Sequence, residues 1–284
     1  MLILTNMNHR KADIKNPKIA LCQIKVSSDK DKNLASAEEM ISGSAFQGAD
    51  IIVLPEMFNC PYSNGFFKSH AESYPGKTTV LLSSLAKKYS VCIIGGSIPE
   101  IDNGNIFNSS FSFDHNGLLL GRHRKIHLFD VDIKHGISFK ESETITPGKD
   151  ITIIPTGFFN AGIQICYDMR FPELTRKMVR QGAEIIIVPA AFNMTTGPAH
   201  WHLTSRARAL DNQVYFIAVS PARDESADSV YTAYGHSLIA DPWGRIIAEA
   251  GTGEEIIVSE IDTAIIYKTR QELPLLKHLR NDLY

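Results

Sequence analysis

Apolar runs and the polar residues that interrupt them divide the chain into alternating strand and helix signals. KIALCQIKV at 18–26 predicts a strand, and 32–47, with spaced apolar positions at Leu34, Ala37, Met40 and Ile41, predicts an amphipathic helix. ADIIVLPE at 49–56 predicts a buried strand, 79–89 a helix, and VCIIGGSI at 91–98 a further strand. FNSSFSF and GLLLGRH flank the turn Asp114-His115-Asn116-Gly117 and predict a hairpin. After a polar segment come strands ITIIP and AGIQIC, a helix at 171–181, strand EIIIVP, a helix near 198–211 and strand VYFIAV. HSLIAD, RIIAEA and EIIVSEI close the series, separated by Pro-Trp-Gly and Gly-Thr-Gly turns. This alternation implies an α/β layered architecture, and the hairpins make its sheets mixed.

Composition narrows the partners more than the fold. With 284 residues, 44% hydrophobic and 21% charged, the chain can bury a large core. No linker or low-complexity stretch marks a boundary, which favours one domain. Its 29 basic and 31 acidic residues give a net charge of -2, so no global field draws nucleic acid or an anionic membrane, and a small-molecule substrate fits better. The opening Met1-Leu2-Ile3-Leu4 is too short for a signal-peptide core, and no stretch is long enough to span a bilayer. Cysteines at 22, 60, 92 and 166 show neither CxxC nor paired spacing, against a disulfide framework or zinc cluster and in favour of a reducing cytoplasm.

Two apolar strands end on reactive residues: IIVLP runs into Glu56 and GIQI into Cys166. Ligands of open α/β sheets gather beyond the carboxyl ends of strands, so the two can share a pocket. Cys166 lies between a strand and a helix beginning near Phe171-Pro172-Glu173, where amide N–H groups and the helix dipole would favour thiolate. An inert buried thiol is the plain alternative. Glu56, partly desolvated at a strand end, suits a general base, or is simply an exposed strand-end acid. Lys125, in GRHRKIHL, is either a cation for a developing oxyanion or part of a solvated basic run. No histidine is spaced as a papain-like partner of Cys166. His200 and His202 flank Trp201 at i, i+2, on different faces of a helix, so no metal pair is expected there.

Together LPE at 54–56, GRHRKIHLFD at 121–130 and CYDMRFPE at 166–173 resemble, in order and spacing, the signature regions of the nitrilase, or carbon-nitrogen hydrolase, superfamily. AFNMTTGPAHW, RARALDNQVY and GHSLIADPWG extend the resemblance over nearly the whole chain from Lys18 to Tyr284, leaving 1–17 as an N-terminal extension of a single domain. The resemblance implies a four-layer αββα sandwich with two mixed β-sheets and a catalytic triad of Glu56, Lys125 and Cys166. It also implies a second glutamate beside the lysine at Glu141, assigned over Glu143 by its motif. Cys166-Tyr167-Asp168 replaces the Cys-Trp-Glu of true nitrilases, which implies the amidase branch.

Within that branch the ω-amidase group, acting on 2-oxoglutaramate and 2-oxosuccinamate through a cysteine thioester, is the nearest match. Deaminated-glutathione amidase, which shares CYDMRFPE, is the alternative. A binding or scaffold member without turnover is the reading from a different class, and the presence of every triad position argues against it. By resemblance Arg170, Tyr62 and Thr196 receive the substrate's distal carboxylate and Phe192 forms a wall, with Thr195 nearly equal to Thr196. An ion pair with Asp168 or Glu173 is the alternative role for Arg170. The Tyr167 backbone N–H joins Lys125 at the oxyanion. Neither metal nor organic cofactor is expected, and a homodimer is.

Overall fold

The β-branched runs of the sequence become the central strands of two sheets. The computed structural model describes residues 16–226 and 230–283, so the signal-peptide reading and most of the extension at 1–17 lie outside the described residues. Along the chain come β1 (Lys18–Gln23), α1 (Lys30–Phe46), β2 (Ile51–Val53), α2 (Asn64–His70), α3 (Lys77–Tyr89), β3 (Cys92–Ile94), β4 (Ile98–Asp102), β5 (Asn105–Phe113) and β6 (Leu119–Arg124). There follow β7 (Asp130–Asp132), β8 (Ser138–Lys140), β9 (Thr152–Pro155), β10 (Asn160–Ile163), α4 (Pro172–Arg180), β11 (Ile185–Pro189) and α5 (Gly197–Asn212). The last elements are β12 (Tyr215–Val219), β13 (Leu238–Ala240), β14 (Ile246–Glu249), β15 (Glu255–Glu260), α6 (Ala264–Glu272) and α7 (Leu275–His278).

One sheet has the order β15-β1-β2-β3-β5-β4, with β6 also paired to β5, and the other runs β14-β13-β12-β11-β10-β9. Only β1-β2-β3 and β10-β11-β12 pair in parallel, so both sheets are mixed as expected. The expected hairpin is β5–β6. Strand alternation then sorts side chains into layers. Ile19, Leu21, Val53 and Ile94 of the first sheet pack against Ile163, Ile187, Ile217 and Ile239 of the second in one buried cluster. The opposite face of the first sheet, with Ala20, Ile52 and Ile93, is covered by Leu34 and Ile41 of α1 and Leu82 and Leu85 of α3. The second sheet presents Ile186, Val188 and Phe216 to Met178 of α4 and Trp201 of α5. The result is a four-layer αββα sandwich, and its parallel central strands are apolar on both faces because both faces are covered.

The strand expected at 91–98 is broken at Gly95-Gly96, and the break serves Glu56. Gly96 has φ +55°, and a Cβ there would sit 2.1 Å from the Pro55 carbonyl oxygen. The next residue, Ser97, donates its N–H to that oxygen (3.1 Å) and accepts the Met57 N–H on its hydroxyl (3.2 Å), holding the chain on both sides of Glu56. Gly96→Ala combines a left-handed φ with a backbone collision. We expect it to lower stability by about 2–4 kcal/mol in urea unfolding, with loss of activity even where folded protein is recovered.

Candidate active site

The carboxyl ends of β2 and β10 point to one region, and each carries a reactive side chain just beyond its last residue. Lys125 arrives from the first sheet too, immediately after β6, where its N–H donates to Asn108 O at 2.8 Å. The basic run that contains it is sorted by strand alternation. Arg122 and Arg124 face one way and bind Glu100 (2.6 and 2.8 Å), with Arg124 also on Asp102 (2.6 Å). His123 and Lys125 face inward and are buried.

Lys125 is 0% exposed and lies between two carboxylates that are equally buried. Its Nζ contacts Glu56 Oε1 at 2.9 Å and Glu141 Oε2 at 2.8 Å, and donates to the Tyr62 hydroxyl at 3.0 Å. Burial works against its charge, yet Glu141 and Glu56 beside it hold its pKa well above the usual lysine value. Asn108 on β5 donates to both acids, at 2.8 Å to Glu56 Oε1 and 3.1 Å to Glu141 Oε1. The Phe129 N–H completes the Glu141 environment at 2.7 Å. Burial raises the Glu56 pKa, with Lys125 opposing and Glu141 adding to the rise. Glu56 Oε2 accepts no well-formed hydrogen bond among the described residues, which leaves it available to take a proton.

Cys166 stands at φ +47°, a left-handed conformation that turns the chain sharply after the second sheet and aims the thiol at Glu56 and Lys125. Strand β10 itself ends at Ile163, although Gln164 N–H still donates to Ile187 O at 3.1 Å. A short 3-10 turn over Cys166–Arg170 follows, and α4 starts at Pro172, where the helix was expected. The thiol is 5% exposed, and its pKa is pushed well above the ordinary range by burial first and by Glu56 second. The expectation of a resting thiolate favoured by a helix dipole is therefore corrected: the dipole begins too far along the chain, and the adjacent carboxylate has the opposite effect.

Asp168 fixes this turn. It accepts from Ile165 N (3.1 Å), His127 N (2.9 Å), His127 Nδ1 (2.8 Å) and His123 Nε2 (3.2 Å). These donors hold its pKa well below the carboxylate range despite burial. Asp168 is thus not the partner of Arg170. Arg170 instead donates to His200 Nδ1 at 3.0 Å, lies over the Phe192 ring at 4.6 Å, and has no carboxylate partner among the described residues.

Cys166, Tyr167, Arg170, Phe192 and Thr196 line one small cavity with Phe129, Ala191 and Asn193. Thr196 is buried on its wall and donates to Asn193 Oδ1 at 3.3 Å, whereas Thr195 is exposed, which separates the two threonines. Tyr62 lies outside this lining, in a second cavity that Glu56 shares with Cys60 and Tyr231. His200 and His202 take different partners, Arg170 and Glu249. Sequence reasoning missed Asn108, Phe129 and the anchoring role of Asp168. Asn108 sits in the serine-rich strand FNSSFSF, where an inward amide within an otherwise apolar-and-small pattern was the only signal.

The family model for carbon-nitrogen hydrolases matches residues 18–271. This chain belongs to the carbon-nitrogen hydrolase family. The hydrolase is 48% identical over 267 residues to the omega-amidase NIT2 of Danio rerio, covering 94% of this chain and 96% of the relative, and 46% identical with the same coverage to that of Homo sapiens. Its fold matches the crystal structure of Saccharomyces cerevisiae Nit3, a member of branch 10 of the nitrilase superfamily, with a TM-score of 0.86, 45% identity and coverage of 94% and 97%. Membership and relatives together make the hydrolase an amide-cleaving enzyme.

Asp168 has a consequence for stability as well as geometry. Because its folded pKa is depressed below the unfolded value of about 3.9, its contribution is present above that pH and is lost as pH falls through the folded pKa. Asp168→Asn in this hydrolase leaves buried donors poorly matched, so thermal or urea unfolding at pH 7 should show a loss of about 3 kcal/mol. The difference from wild type should shrink as pH falls below about 4.

Proposed function

We propose that the enzyme hydrolyses the terminal amide of a short dicarboxylate monoamide, such as 2-oxoglutaramate or 2-oxosuccinamate, to the acid and ammonia. The observation that carries this reading is an Arg170 guanidinium with no carboxylate partner among the described residues, lining the same small cavity as Cys166. A guanidinium in that position matches a carboxylate by charge and by bidentate geometry. The omega-amidase relatives support the same substrate class.

In the proposed cycle the Glu56 carboxylate takes the Cys166 proton as Sγ attacks the amide carbon. The carbonyl oxygen becomes an oxyanion that accepts from Lys125 and the Tyr167 N–H. The C–N bond then breaks as Glu56 returns the proton to nitrogen, and ammonia leaves the thioester. Water loses a proton to Glu56 and attacks the thioester carbon; the C–S bond breaks, and the proton restores the thiol. Glu141 keeps Lys125 charged and in place, and Tyr62 holds it from the other side. At the far end of the substrate Arg170 and Thr196 receive the carboxylate against the Phe192 wall. Four unpaired, buried cysteines support a reducing, cytoplasmic setting, and family resemblance supports a homodimer.

Cys166→Ala should reduce ammonia release by about 10⁴-fold or more while circular dichroism stays unchanged; retained turnover would sink the assignment of the nucleophile. Arg170→Met should raise KM for 2-oxoglutaramate by about 100-fold and leave a short neutral amide little affected. Equal losses on both would remove Arg170 from carboxylate recognition. A higher kcat/KM for deaminated glutathione than for 2-oxoglutaramate would overturn the substrate choice.

A further inference from the structure

Outside the Cys166 cavity, three elements bring together side chains that the hydrolytic cycle does not use. His202 lies on α5, His236 in the loop before β13, and Glu249 ends β14. His202 Nε2 is 2.8 Å and His236 Nδ1 3.0 Å from the same atom, Glu249 Oε1, and the three ligand atoms lie within 4.8 Å of one another. For both hydrogen bonds to form, each imidazole carries its proton on the nitrogen that faces the carboxylate. With each proton shifted to the other ring nitrogen, two neutral imidazole lone pairs converge on one point beside an acid. Among the described residues no lysine or arginine pairs with Glu249; its ion-pair partners are the two histidines.

The backbone supports this convergence. His236 sits at φ +59°, an uncommon conformation for a residue with a side chain, next to Gly235 at φ +76°. Its N–H donates to Gly251 O at 3.0 Å and its carbonyl accepts from Trp201 Nε1 at 2.6 Å, so the chain is held on both sides of the strained residue. The Tyr234 ring packs on the His236 ring at 4.6 Å and meets His202 edge-on at 6.0 Å. Strained, braced residues of this kind occur where a side chain must be aimed.

We propose that His202, His236 and Glu249 bind a divalent transition-metal cation of the Zn²⁺ class. Two neutral imidazoles and one carboxylate form a recurrent Zn²⁺ ligand set, with metal–nitrogen and metal–oxygen distances of about 2.0–2.2 Å. Reaching those distances from the present arrangement takes side-chain movements on the order of 1 Å. The three side chains are 25–32% exposed, which gives solvent access and leaves a fourth position for water. The cation would tie the body of α5 to the β13–β14 edge of the second sheet and supply a charge that compensates Glu249.

Titration of the full-length, tag-free, chelator-treated protein with Co²⁺ and Zn²⁺ tests the proposal. One equivalent should bind at micromolar concentration, Co²⁺ giving a visible d–d band without the sulfur-to-metal charge-transfer band that binding at Cys166 would add. His202→Ala/His236→Ala should weaken binding at least tenfold. Glu249→Gln, which keeps the shape and an acceptor oxygen, should also weaken it at least tenfold while leaving the metal-free melting temperature close to wild type. Zn²⁺ should raise the wild-type Tm by several degrees and leave the double variant unchanged. No uptake at micromolar metal, uptake that survives both variants, or a cobalt spectrum dominated by thiolate would each overturn the site.

Discussion

The structure around the reactive thiol depends on one buried ammonium held between two buried carboxylates. Lys125, Glu56 and Glu141 are all without solvent contact, so none of the three charges can be hydrated. Each has to be balanced by protein groups. Tyr62, Asn108 and the Phe129 N–H supply the remaining contacts, drawn from a loop after β2, from β5 and from the loop before β7. A misplaced residue in any of these segments would leave a charge with neither water nor partner. The arrangement is therefore constrained far more tightly than an apolar core of the same size, which accommodates repacking.

That cluster also determines how the thiol is used. A nearby cation or a helix start lowers a cysteine pKa; at Cys166 burial and then the facing Glu56 push it well above normal. In the proposed cycle the nucleophile is generated as its proton passes to Glu56, whose own raised pKa makes it a stronger base than an exposed carboxylate. In the same proposed cycle the Lys125 charge, kept by the two acids, is available to the oxygen of the bound amide.

Much of the architecture was legible because the central strands are buried on both sides. IIIVP and YFIAV can hardly be anything but core strands, and their alternation with amphipathic segments fixes the layered class. The short elements escaped notice. Strands β7 and β8 span DVD and SFK, too brief and too polar to show a period, yet they deliver Glu141 to Lys125. Glu56 and Cys166 were visible as reactive residues at the ends of apolar runs, whereas Lys125 in GRHRK could equally have been surface charge. The strand's two-residue period, which sends Arg122 and Arg124 outward and His123 and Lys125 inward, resolves that ambiguity only once β6 is known to pair with β5. Asp168 and Asn108 could not be ranked at all, because a buried polar side chain is defined by partners distant in sequence: His123 for one, both glutamates for the other.

Glu56 and Lys125 come from one sheet and Cys166 from the other, and β15, at residues 255–260, pairs with β1 near the opposite end of the sequence. During synthesis β15 is the last strand to become available to the first sheet, and before the sheets meet neither Glu56 nor Lys125 is beside the thiol. A chain whose sheets have not docked holds Cys166 apart from both buried charges, and the cluster is completed only when the two sheets meet. Under the proposed cycle, turnover is for that reason also a measure of completed folding.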